Sequence, residues 1–173
     1  MKFSNNHRIR IVLTSMVALM SFNVVINAYS SENEQPVKRN YNTTPPAPVS
    51  QDDVAMQAKS AGCLTCHTQT DSFSMHASPA VRLGCTDCHG GNSGVKVSAN
   101  VQRGTQIYQD AFEQAHVLPR YPKSWHYPSS ANPERTYTLL NRESPEFIRF
   151  INPSDYRIAN ESCGACHADI ISA

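Results

Sequence analysis

At 173 residues and a formal net charge of +1, the chain is long enough for one domain once any targeting sequence is set aside. Without residues 1–28 it carries twelve basic against fourteen acidic residues, a net charge of −2. That balance excludes nucleic acid as a partner class and favours a protein with a basic docking patch.

In chain order, Lys2, Arg8 and Arg10 come first, with no acid among them, followed by the apolar run IVLTSMVALMSFNVVINA over residues 11–28. A basic start and an apolar stretch ending at Ala28 predict a signal peptide over 1–28, and hence a periplasmic protein. Ile26 is larger than the residue usually found at that place before a cut. Eighteen residues also approach the length of a bilayer span, so an uncleaved membrane anchor is the alternative. Thr14, Ser15, Ser21, Asn23 and Asn27 dilute the run and favour cleavage. Either way the remainder faces the exported side. No cysteine lies near the cut, which argues against a lipid-anchored start.

Residues 29–50 read as a Pro-rich linker. The stretch SSENEQPVKRNYNTTPPAPVS holds four prolines and predicts an extended, solvated tether. The folded domain is expected over 51–173. It opens with VAMQAKSAGCLTCH, a short helix running into a cysteine motif. Val101, Thr105, Tyr108, Phe112, Ala115 and His116 recur at spacings of three and four, which predicts an amphipathic helix from about residue 98 to 117. Pro119 stops it. Asn132-Pro133 and Ser144-Pro145 each place a capping residue before a proline, so two further short helices are expected there. No alternating strand pattern occurs. The predicted fold class is mainly α with long loops and little or no β-sheet, and so loop-heavy a chain needs something besides side chains to fill its middle.

All six cysteines fall in three copies of one pattern: Cys63-Leu64-Thr65-Cys66-His67, Cys85-Thr86-Asp87-Cys88-His89 and Cys163-Gly164-Ala165-Cys166-His167. C-x-x-C-H is the attachment signature of c-type haem. Residues three and four apart share a helix face, so two thiols can bond the two vinyl groups of one haem while the histidine aims at the iron. Paired cysteines in exported proteins are more often disulfides, and such pairs also hold zinc. A disulfide framework has no use for a histidine after every second cysteine, and three pairs leave a zinc ribbon with one unmatched. The motifs therefore predict three covalent haem c groups.

Seven histidines are present. His7 lies in the leader and three belong to motifs, which leaves His76, His116 and His126 for three irons that each need a sixth ligand. His116 continues the apolar stripe of its predicted helix. His76 lies between the first two motifs and is expected near their haems. Met75 and Met56 are the alternative axial ligands beyond the leader, and methionine would raise the reduction potential.

With these motifs in view, residues 60–173 resemble the multihaem cytochromes c of Gram-negative bacteria. The segments DSFSMHASPAVRLGCTDCHGG and ESCGACHADI look like the N-terminal, three-haem part of larger members. The resemblance implies an architecture with its core built around haems, bis-histidine low-spin irons and a role in relaying electrons. His67, His89 and His167 would be proximal ligands, and His76, His116 and His126 distal ones. Only six residues follow His167, where larger relatives continue with further haems, so the chain is expected to be a short member or the front of a longer one.

Three functions follow. The first is a periplasmic electron carrier, not an enzyme, working between redox protein partners such as donor and acceptor cytochromes or a quinol dehydrogenase. An iron with two histidine ligands has no open position for substrate. The second is a multihaem reductase of a nitrogen or sulfur oxyanion with one open haem, for which Arg120, Tyr121, Lys123, Trp125 and His126 form the candidate cluster. The bland reading of that cluster is a solvated loop with an aromatic packed on haem. The third is a haem subunit of a larger respiratory complex.

Overall fold

The computed structural model describes residues 34–69, 76, 78–125 and 140–173. The leader, Met75, His126 and the helix expected at Asn132-Pro133 lie outside them. The described residues contain seven helices and no strand, in keeping with the expected mainly α class. None of these helices is long and apolar enough to cross a membrane.

Cap chemistry sets most of the helix starts. α1 (Asp53–Ala58) begins where the Asp52 carboxylate accepts from the Ala55 N–H at 2.7 Å, with Asp53 placed favourably in the first turn. α2 (Cys63–Cys66) follows Gly62, where a Cβ would overlap the carbonyl oxygens of Ser93 and Val95. The backbones pass so closely there that only glycine fits. α3 (Cys85–His89) is capped by Asp87, whose Oδ2 accepts from the Gly84 N–H at 2.8 Å. After it, Gly90 and Gly91 turn the chain at φ +66° and +78°.

The helix expected over 98–117 is shorter. α4 runs Gln106–Ala115, starting at Thr105, whose hydroxyl accepts from the Tyr108 N–H at 3.3 Å. Gly104 sits at φ +89°, which no right-handed helix accommodates, so Val101 is cut off from the stripe it extends by spacing alone. His116 is already extended, at ψ 151°. The start expected at Ser144-Pro145 is present: α5 (Pro145–Ile151) has the Ser144 hydroxyl accepting from Phe147 N–H at 3.2 Å and Pro145 in its first turn. α6 (Ala159–Ser162) and α7 (Gly164–Ile171) follow on either side of Cys163.

The apolar core comprises Val117, Trp125, Leu140, Phe147, Ile148 and Ile158, with Tyr41, Phe150 and Ile151 packed against it. Trp125 meets the Phe147 ring edge-on at 5.2 Å. A buried carboxylate, Glu143, accepts from the backbone N–H groups of Arg120 and Tyr121 and from the Trp125 indole at 2.8–3.0 Å. This is how a buried charge is made tolerable, by several donors at once.

The segment read as a solvated tether lies, from Val37 on, within the compact unit Val37–Ala173. Val37 N–H and Arg39 Nε donate to the carbonyls of Arg120 and Pro119, Tyr41 Oη to that of Leu118, and Ala47 N–H to that of Glu161. Its backbone and side-chain donors thus find carbonyls of the 118–120 loop and of α6.

Candidate functional site

Each C-x-x-C-H motif is closed as one turn by backbone hydrogen bonds, regular in the second motif and kinked at His167 (φ −121°, ψ 28°) in the third. The His67 N–H donates to the Cys63 carbonyl at 2.9 Å, Cys85–His89 is helical throughout, and the N–H groups of Cys166 and His167 both donate to the Cys163 carbonyl. The spacing therefore does locally what its chemistry requires: two sulfurs and one imidazole leave the same turn.

The first two turns abut. The interaction between the neighbouring Cys63 and Cys85 sulfurs pushes Cys63 up and holds Cys85 below the usual thiol range. Around them, Cys85 N–H donates to Ser60 Oγ at 3.0 Å and Thr86 N–H to the Lys59 carbonyl at 3.2 Å. Lys59 Nζ meets Asp87 Oδ1 at 2.5 Å. The third motif joins from the other side. Burial raises the Cys88 thiol first, and the neighbouring Cys163 adds to the shift. Ser162 Oγ donates to the Cys88 carbonyl at 3.2 Å.

The histidines form pairs. His67 and His116 have ring centres 6.1 Å apart with planes at 87°, and His76 and His167 are 6.2 Å apart with planes at 14°. His76, expected near the first two motifs, has its ring beside that of His167 in the third. Backbone carbonyls fix two tautomers: His116 Nδ1 donates to Phe112 O at 2.9 Å, and His89 Nδ1 to Phe150 O at 2.7 Å. A carbonyl only accepts, so Nδ1 carries the proton and Nε2 keeps its lone pair for a metal. Burial pushes His116 below the usual imidazole range, and the charge of nearby His67 acts in the same direction. Phe112 and Phe150 flank its ring at 4.1 and 5.2 Å.

Sequence reasoning missed Arg149. It is 3% exposed, and it donates to the carbonyls of Thr44, Pro45, Asp87 and Cys88 at 2.7–3.2 Å. One guanidinium thus ties the 37–50 segment to the second motif, with Glu161 at 3.5 Å as an outlying ion partner. A lone arginine inside the apolar run PEFIRFI was the available signal. In the cluster considered for substrate binding, the backbone N–H groups of Arg120 and Tyr121 and the Trp125 indole donate to Glu143, and Trp125 packs on Phe147.

Among the described residues no group of three or more His, Cys, Asp or Glu side chains is arranged to hold a bare metal ion. Pairs of imidazoles are what the fold supplies. No family model, curated protein or solved structure matches the chain.

Proposed function

We propose that the chain is a periplasmic electron carrier with three c-type haems, attached through Cys63 and Cys66, Cys85 and Cys88, and Cys163 and Cys166. The observation that carries this reading is that both described non-motif histidines face a motif histidine at the separation of two ligands on one metal. Imidazole–metal bonds of about 2.0–2.1 Å on both sides put the ring centres about 6.4 Å apart, and the two pairs stand at 6.1 and 6.2 Å. The residues fit the group in a second way. Helices α1, α2, α4 and α7 bury no residue, and α3 buries only the polar Thr86 and Asp87. The motif-bearing half therefore has half-covered faces on which a flat apolar cofactor packs, in line with a core built around haems.

Bound haem supplies reversible one-electron chemistry at its iron, with a potential set by axial ligands, burial and hydrogen bonding. The chain's own residues do the rest. The cysteines hold the group covalently, and His67, His89 and His167 supply proximal imidazoles. His76 and His116 close the sixth position against substrate, with His126 assigned the same role by the count of histidines. Phe112 and Phe150 carbonyls orient the rings and raise their basicity. The net charge of −2 suits redox partners with basic docking surfaces, such as cytochromes or a quinol dehydrogenase.

The test is the mass and spectrum of protein matured in a periplasm. Three haem additions on a chain beginning near Tyr29, all low-spin when ferric, support the reading. A mass fitting three disulfides overturns it, and a high-spin haem that binds nitrite or sulfite overturns the carrier role for that haem.

A further inference from the structure

Resting on the haem reading above, we infer that the first and third haems take crossed ligands and are electronically distinct. His116 is the partner of His67 on the haem of the first motif, with ligand planes near perpendicular. His76 is the partner of His167 on the haem of the third motif, with ligand planes near parallel.

The pairing rests on three observations. Both separations, 6.1 and 6.2 Å, lie within a few tenths of the about 6.4 Å that two imidazoles on one metal require, and each pair joins a motif histidine to a non-motif one. Aromatic contact alone also falls in this range, but His76 and His167 are both exposed, so burial gives them little reason to meet. The His116 tautomer is fixed by the Phe112 carbonyl with Nε2 left to ligate, and Phe112 and Phe150 hold that ring from two sides. The perpendicular angle is therefore set by packing.

The consequence concerns topology. His76 sits in the short connection between the first two motifs, yet it serves the last one. Ligation then ties His76 to α7 and His67 to the end of α4, so that the first and third motifs each take a ligand from a distant part of the chain. Among the motif histidines His89 is left for the second haem, its Nδ1 bonded to Phe150 O.

The ring angles give this a spectroscopic signature. In ferric low-spin haem, parallel imidazole planes engage the same iron d orbital and split it from its neighbour, giving a rhombic spectrum with three resolved g values. Perpendicular planes engage one orbital each and leave the two nearly degenerate, giving a highly anisotropic signal in which only the largest g stands out. Low-temperature EPR of the haem-loaded full chain should show at least one signal of each kind.

Five variants assign them. His116→Ala should abolish the highly anisotropic signal and create one high-spin haem, whereas His76→Ala should abolish a rhombic one. Where the alanine variants fail to mature, His116→Met and His76→Met keep a sixth ligand and should each change the same signal as the corresponding alanine. His167→Met should alter the signal that His76→Met alters. If His76 and His167 variants act on different signals, or the wild type shows low-spin haem of one kind only, the inference is overturned. Protein with no haem at all would overturn the haem reading itself, a result the mass distinguishes.

Discussion

Two parts of this molecule hold together by different means. Around Leu140, Phe147, Ile148 and Ile158 the chain builds an ordinary apolar core, with Phe147 and Leu140 fully buried. Around the first two motifs what is buried is polar: Ser60, Thr86 and Asp87, knitted by Lys59, Gln51 and backbone carbonyls. A hydrogen-bonded frame fixes direction well but adds little net stability, about 0.5–1.5 kcal/mol for each bond. Apolar burial is what opposes chain entropy. The motif half thus has the geometry of a fold with little apolar burial to drive it, and in the reading proposed above three bound haems would supply that force. Arg149 joins the halves, rising from α5 in the apolar core to the carbonyls of the second motif.

The largest expected effect comes from removing attachment at the second motif. Cys85→Ala or Cys88→Ala should cost more than one haem, because the Cys85 turn abuts the Cys63 turn and Cys88 lies beside Cys163. Haem content by mass and resistance to limited proteolysis measure this. Full retention of the other two haems, with normal resistance, would show that the motif half stands without its cofactor. Phe147→Ala comes next, at about 3–5 kcal/mol for a fully buried ring. It should lower the denaturation midpoint while leaving the ferric spin state unchanged, since the ring lies in the side-chain core and contacts Trp125.

Arg149→Leu probes the join. It strips four carbonyls of their donor, with an expected loss of about 3 kcal/mol. It also removes a buried cation bonded to the carbonyl of Cys88, the residue before His89, so the potential of one haem should fall in a redox titration. Arg149→Lys keeps the charge but not the fork of donors, and should recover the potential more than the stability. Equal loss of both in the two variants would mean that Arg149 acts through packing alone.

What could be read from the sequence was whatever depends on neighbours along the chain. The C-x-x-C-H turns and the Ser144-Pro145 start are local chemistry, and both are present as helical turns. The over-long helix at 98–117 shows where spacing fails. Periodicity sees Val101 in register but does not see that Gly104 takes a positive φ. The attachments of the 37–50 segment were hidden for a related reason: proline content describes backbone shape and says nothing of whether Leu118, Pro119 and Arg120 offer carbonyls to it. His76 was identified as a candidate ligand, but the motif it faces was not, because its partner His167 is distant in sequence and no spacing rule spans that gap. Glu143 and Arg149 were invisible because a charged residue is read as exposed unless the fold assembles its partners.

The smallest effect tests whether an ion pair near the third motif matters to either half. Arg157 grips Asp155 with Nε on Oδ1 at 2.8 Å and Nη2 on Oδ2 at 2.6 Å, and its own N–H donates to Oδ1 at 3.0 Å. The Arg157 hydrogen bond holds the Asp155 carboxyl below the usual carboxylate range. A carboxylate with a depressed folded value stabilises the protein fully above its ordinary pKa, about 3.9, and loses that contribution as pH falls through the folded value. Asp155→Asn should therefore cost about 0.5–1 kcal/mol at neutral pH and progressively less below about pH 4, measured as the difference in urea midpoint between variant and wild type across a pH series. The Asp155 backbone carbonyl still receives the Ile158 N–H in either protein, so the turn before α6 persists and the comparison isolates the charge. A difference that stays constant down to low pH would assign the effect to local hydrogen bonding. One that grows on acidification would mean that Asp155 opposes another carboxylate when folded, and that the Arg157 grip does not govern it.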